Sequence, residues 1–130
     1  MCKHYSVIPI HLPDDLVKCI NDPKNYEIAN ALIPARDKYH IQYLIRIFRK
    51  ALGNDGNFNW IDTRNITDMS NLFECDFAFN GHIELWEISN GENMSYMFSY
   101  TSSFNSPINC WDVSNVKMMH GMFRYAEAFN

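Results

Sequence analysis

The fold class this sequence predicts is an α/β solenoid of leucine-rich-repeat-like coils, and three observations predict it. Cut into rows of 25, residues 61–130 fall into register as IDTRNITDMSNLFECDFAFNGHIEL, WEISNGENMSYMFSYTSSFNSPINC and WDVSNVKMMHGMFRYAEAFN. The register stacks apolar columns: Ile61/Trp86/Trp111, Met69/Met94/Met119, Leu72/Met97/Met122, Phe73/Phe98/Phe123 and Phe79/Phe104/Phe129. A fixed period of roughly 20–50 residues marks a stack of units, because one such unit cannot bury its own apolar face. The third observation is an amphipathic helix just before the first row, where a stack needs a cover.

Taken in order, residues 5–10, YSVIPI, read as a short extended segment that Pro9 confines to an edge. Pro13-Asp14-Asp15 starts a helix carrying Leu16, Val17 and Ile20 on one face and ending near Asn21–Pro23. Tyr26 to Leu32 is a weaker helical segment. Ala35 to Leu52 is the strongest: Ile41, Leu44, Ile45, Phe48 and Leu52 make one apolar stripe, Asp37 sits at its start, Arg46, Arg49 and Lys50 near its end, and Gly53 just past it. Its place in the chain makes it the N-terminal cap, so the division is a helical cap at 1–53 and about three repeat coils at 54–130. A free amphipathic helix with Arg36, Lys38, Arg46, Arg49 and Lys50 outward is the alternative.

Within a row, Ile83-x-x-Trp86-x-Ile88 and Ile108-x-x-Trp111-x-Val113 have the apolar spacing of a leucine-rich-repeat strand, pairing in parallel from coil to coil. Met94/Met97/Phe98 and Met119/Met122/Phe123 stand at i, i+3, i+4, which predicts a short helix on the opposite side. Asn65/Asn90/Asn115 and Asn80/Asn105/Asn130 read as structural ladders at tight corners. Gly91 in place of Ile66 and Val116, and Thr63 in place of Ile88 and Val113, predict locally weaker packing.

The string FNxxIxxWDVSNVxxMxxMFxxAxxFN, carried by Phe104 to Asn130, resembles the BspA-type repeat family of leucine-rich-repeat surface proteins. The resemblance covers roughly residues 54–130, and NFNWIDTRNITDMSNLF is similar to the opening repeat of such arrays. It implies a right-handed solenoid used for binding, with no catalytic residues.

Charge divides between the halves. Residues 1–53 hold eight Lys/Arg against five acids, and residues 54–130 hold three against ten, within a total of −4. An acidic repeat surface repels nucleic-acid phosphates and favours a basic protein surface. The N-terminus lacks the features of a signal peptide, and no apolar run approaches the roughly 18 residues of a membrane span. The expectation is a cytoplasmic protein bound to no membrane. Cys2, Cys19, Cys75 and Cys110 are too widely spaced for a metal site and read as reduced thiols.

No constellation suits chemistry: His4, His11, His40, His82 and His120 are scattered, and LGNDGN is the turn after the cap helix, not a phosphate loop. We therefore expect no enzyme, no cofactor and no metal. The predicted function is a protein-interaction module. Its partner-binding residues are Asp62, Glu84, Glu87, Asn109 and Asp112 on the strand face, beside Asn59. The alternative is a small intracellular inhibitor or nucleic-acid mimic that fills a basic cleft of a target enzyme. The last row also predicts an open apolar end at Met122, Phe123 and Phe129, closed by a further coil, a partner or a homodimer.

Overall fold

Asp37 fixes where the long helix begins. A computed structural model describes residues 6–7 and 31–130, and in it the Asp37 backbone is extended while its carboxylate accepts the His40 amide at 2.8 Å. Helix α1 therefore runs Lys38–Leu52, starting three residues later than the expected Ala35, because the cap residue itself lies outside the helix. Gly53 ends it at φ +81°, its amide donating to the Arg49 carbonyl at 2.7 Å. Ile41, Leu44, Ile45 and Leu52 are buried, and Phe48 packs edge-on to Trp60 with ring centroids 4.9 Å apart.

Three short strands pair in parallel in the order β1 (Ser6–Val7), β2 (Ala31–Pro34), β3 (Ile61–Asp62). The expected extended segment at 5–10 thus holds an edge strand. Ala31-Leu32 is a strand and not the end of a helix, and the physical reason lies in its neighbours. ALIP is a continuous apolar run of the kind parallel strands carry in place of alternation, and its Ile33 is buried. The Ile33 amide donates to the Trp60 carbonyl and the Ala35 amide to that of Asp62, both at 2.9 Å. The helix expected from Pro13 and the rest of the Tyr26–Leu32 segment lie outside the described residues.

Successive rows stack in the register the columns predict. Parallel bridges join Asn57 to His82, Asp68 to Asn93 and Asn93 to Met118. The expected strands around Trp86 and Trp111 and the expected helices at Met94–Phe98 and Met119–Phe123 do not form. In their place are chained turns, and the hydrogen bonds show why. From Met69 to Asp76 the amides alternate. Those of Met69, Asn71, Phe73 and Cys75 donate across to the next row, at Asn93, Ser95, Met97 and Ser99, while those of Leu72, Glu74 and Asp76 donate three residues back. A helix would turn every amide onto its own row and leave the next row's carbonyls bare. The second row repeats the pattern: the amides of Met94, Tyr96, Phe98 and Tyr100 reach Met118, His120, Met122 and Arg124.

Aromatic side chains fill the stack. Phe73, Phe98 and Phe123 lie one above another with centroids 5.4 Å apart at both steps, and Phe79, Phe104 and Phe129 follow at 6.1 and 5.8 Å. Within each row the two phenylalanines stack at 4.1–4.2 Å. Each indole N–H finds a backbone carbonyl: Trp60 to Asn57, Trp86 to Phe58 and Trp111 to Ile83. Burial with a satisfied donor is what a core tryptophan requires.

The two substitutions expected to loosen packing do not. Thr63 is buried and donates its hydroxyl to the Glu87 carbonyl at 2.9 Å. A Cβ on Gly91 would lie 2.7 Å from the Met94 Cε, so the methionine takes the space that Ile66 and Val116 fill in the other rows.

Candidate interaction surface

Of the five acidic-face residues the sequence proposes, four accept bonds from their own chain. Asp62 is buried, and its carboxylate takes the Arg64 amide at 3.1 Å and the guanidinium at 2.9 and 2.8 Å. It is therefore not available to a partner, which corrects its place in the predicted surface. Glu87 accepts the Ser89 amide, and Asp112 the Ser114 amide, both at 3.0 Å. The Ser114 hydroxyl and amide hold the Asp112 carboxyl below its ordinary pKa. Column 62/87/112 is thus first a set of turn caps, a role its D/E-x-S/R spacing makes legible once two-residue side-chain turns are considered. Glu84 stands 3.5 Å from His82 Nδ1, while Asn109 is exposed at a separate corner.

A groove of about 390 Å³ crosses all three rows and is lined by Asn65, Thr67, Asn90, Glu92, Asn115 and Lys117. Its residues come from two columns, 65/90/115 and 67/92/117, so the register itself builds it. Asn90 Nδ2 donates to the Arg64 carbonyl at 2.6 Å and Asn115 Nδ2 to that of Ser89 at 2.7 Å. Each asparagine thus bonds back to the preceding row's backbone, as a ladder should. In the other ladder, Asn80 Oδ1 accepts the Asn105 amide and Asn105 Oδ1 the Asn130 amide. Lys117 pairs with Glu92 at 2.7 Å.

Helix α1 supplies the boundary of the stack through its polar side chains as well as its apolar stripe. In the second row, the carbonyls of Ser95 and Met97 accept amides from the row before. Their counterparts in the first row, Ser70 and Leu72, accept instead from Lys38 Nζ and Gln42 Nε2, each at 3.0 Å. Lys38 also meets Asp68 at 3.2 Å. Burial works to raise the Asp68 pKa, but the Ser70 hydroxyl and amide and the Lys38 ammonium outweigh it and hold the pKa low. Arg49 grips Asp76 through two bonds of 2.6 and 2.8 Å. Lys38 and Arg49, two of the basic residues that the free-helix alternative turns outward, therefore face the repeats. Inside the helix start, His40 Nδ1 accepts the Arg36 amide at 3.0 Å, and burial, then the Arg36 charge, lowers the His40 pKa.

The opposite, turn-built face carries strain. Asn71, Cys75, Tyr96, Tyr100 and Tyr125 have φ between 57° and 63°, and Gly121 has φ +57°. These fall in two columns, 71/96/121 and 75/100/125, at the position where a type II turn requires positive φ. Asn and Gly suit it; for tyrosine it costs roughly 1–2 kcal/mol. Gly121 has a second reason, since a Cβ there would lie 2.6 Å from the Tyr96 ring. At the predicted open end, Met122 is buried, Phe123 and Phe129 are half-buried, and Met119 is exposed.

Among the described residues, no group of His, Cys, Asp and Glu is arranged to hold a metal ion, and no helix is long and apolar enough to cross a membrane. Cys75 and Cys110 are exposed on the surface; Cys2 and Cys19 lie outside the described residues. Residues 42–130 match the family described as Mycoplasma protein of unknown function, DUF285. No curated protein and no solved structure matches the chain.

Proposed function

Because the chain belongs to the DUF285 family, we propose that it is a non-catalytic, BspA-type binding module of the cytoplasm, an α/β solenoid that holds a basic protein partner against its repeat face. The observation that carries this reading is the three-row groove whose lining comes from columns 65/90/115 and 67/92/117 and includes Glu92. The asparagine column offers the same amide at each step, which suits an extended partner segment, while the other column changes from Thr67 to Glu92 to Lys117. Glu92 in the lining and the acids Glu87 and Asp112 of column 62/87/112 supply the charge that guides association.

The test is capture of partners from a lysate of the source cell by the full chain, against the variant Glu87→Lys/Asp112→Lys. Asp112 is exposed, where a charge change usually shifts stability by under about 0.5 kcal/mol, whereas Glu87 is half-buried, and each acid also caps a turn. Circular dichroism melts of the variant therefore come first. Loss of a salt-sensitive partner from a folded variant supports the reading. An unchanged partner set with unchanged salt dependence refutes it.

A further inference from the structure

The strained turn face does not take part in the groove, and its chemistry is different. Phe77, Tyr96, Tyr100 and Tyr125 are exposed at 60, 36, 40 and 55%. Ala78, Ser103 and Ala128, which share one column of the same rows, are exposed, and Tyr100 and Tyr125 stack with centroids 4.8 Å apart. Exposed aromatic surface of this kind, with Tyr100 and Tyr125 in contact across two rows, marks an interface. The columns sharpen the point. Column 71/96/121 holds Asn, Tyr and Gly, so residues at ease with positive φ occur there, yet tyrosine occupies the middle row, its ring lying beside Gly121 and 36% exposed. A conformational outlier retained at an exposed aromatic is a reason to look for function.

The charges on this face say what covers it. Column 74/99/124 reads Glu74, buried Ser99, Arg124: negative in the first row, neutral in the second, positive in the third. Among the described residues, Glu74 accepts the Asn71 side-chain amide of its own turn, at 3.0 Å. Arg124 lies over the Tyr125 ring at 5.3 Å and, among the described residues, meets no carboxylate. This order of charges is complementary to itself when the row order is reversed. We propose that two copies of the chain associate through their turn faces across a two-fold axis near Ser99. That axis sets Arg124 of each copy against Glu74 of the other, with the Tyr96 and Tyr100 rings of both copies between the two ion pairs. Packing the faces with rows in the same order sets Glu74 on Glu74 and Arg124 on Arg124, which the like charges oppose. Three rows offer a small face, so the association belongs to the weak class, with dissociation constants of about a micromolar to a millimolar. The proposal is independent of the groove and its partner.

Sedimentation equilibrium of the full chain from about 10 to 500 μM tests it, a range set by that affinity. The expected result is a reversible monomer–dimer equilibrium. Glu74→Arg or Arg124→Glu alone weakens it by about tenfold or more, and the charge-swapped double variant Glu74→Arg/Arg124→Glu restores it to within about threefold, as a double-mutant cycle on a direct pair requires. Matching circular dichroism melts confirm that all variants are folded. A wild-type chain that stays monomeric throughout, single variants that dimerise as wild type, or a swap that fails to restore the dimer would each overturn the proposal.

Discussion

Replacing Lys38 and Gln42 by methionine tests whether α1 covers the stack by hydrogen bonding as well as by apolar contact. Methionine keeps the long stem and nearly the same helix propensity, so the change removes donors and little else. Two acceptors then lose their partners: the Ser70 carbonyl, 3.0 Å from Lys38 Nζ, and the Leu72 carbonyl, 3.0 Å from Gln42 Nε2. A carbonyl stripped of its donor in a dry site costs about 1–3 kcal/mol. These sites are partly open, Gln42 being exposed, so the lower end applies to each. The Lys38 pair with Asp68 adds little, because the Asp68 side chain is 54% exposed and such pairs contribute about 0–1 kcal/mol. The double variant is therefore expected to lose about 2 kcal/mol, a shift of several degrees in melting temperature for a domain of this size. Urea unfolding followed by circular dichroism measures it, with Arg46→Met/Lys50→Met on the exposed side of the same helix as control. That control should move stability by under about 0.5 kcal/mol. If both double variants lose the same small amount, the side-chain donors do not replace a row and the helix covers the stack by its apolar stripe alone.

Two further outcomes follow from the core and from His82. Trp86→Ala removes a buried indole and leaves the Phe58 carbonyl without its donor, so it should cost about 3–5 kcal/mol in urea unfolding, and a loss under about 1 kcal/mol would refute the stacking. For His82, the hydrogen bond to Glu84 raises the pKa above its ordinary 6.5 against the opposing effect of burial. A raised folded pKa gives stabilisation that is full below the unfolded value and lost as pH rises through the folded one. His82→Gln should therefore destabilise the chain more at about pH 5.5 than at about pH 8, and an equal cost at both would show that the pair is not coupled to folding. His40, with its lowered pKa, works in the opposite sense and loses stability as pH falls, but it is common to both chains and cancels in the comparison.

The period, the columns and the cap helix were legible in the sequence because they depend on which residues are apolar and how they are spaced. Phe73/Phe98/Phe123 stack because identical rows in register must place identical rings together, and Ile41, Leu44 and Ile45 are buried because a helical stripe has one side to hide. Local conformation inside a row was not legible. Met94, Met97 and Phe98 have helical spacing, yet the amides of Met94 and Phe98 are taken by the next row, and no periodicity reveals where an amide points. The tertiary structure likewise decided the acids. Asp62, Glu87 and Asp112 share a column and a sign, but only the fold shows Asp62 buried under the Arg64 guanidinium while Asp112 stays in solvent, because burial depends on which neighbour packs above each row. The same holds for Lys38 and Gln42: the sequence shows two polar residues one helical turn apart, and their role depends on the two carbonyls that the first row leaves without a preceding strand of amides.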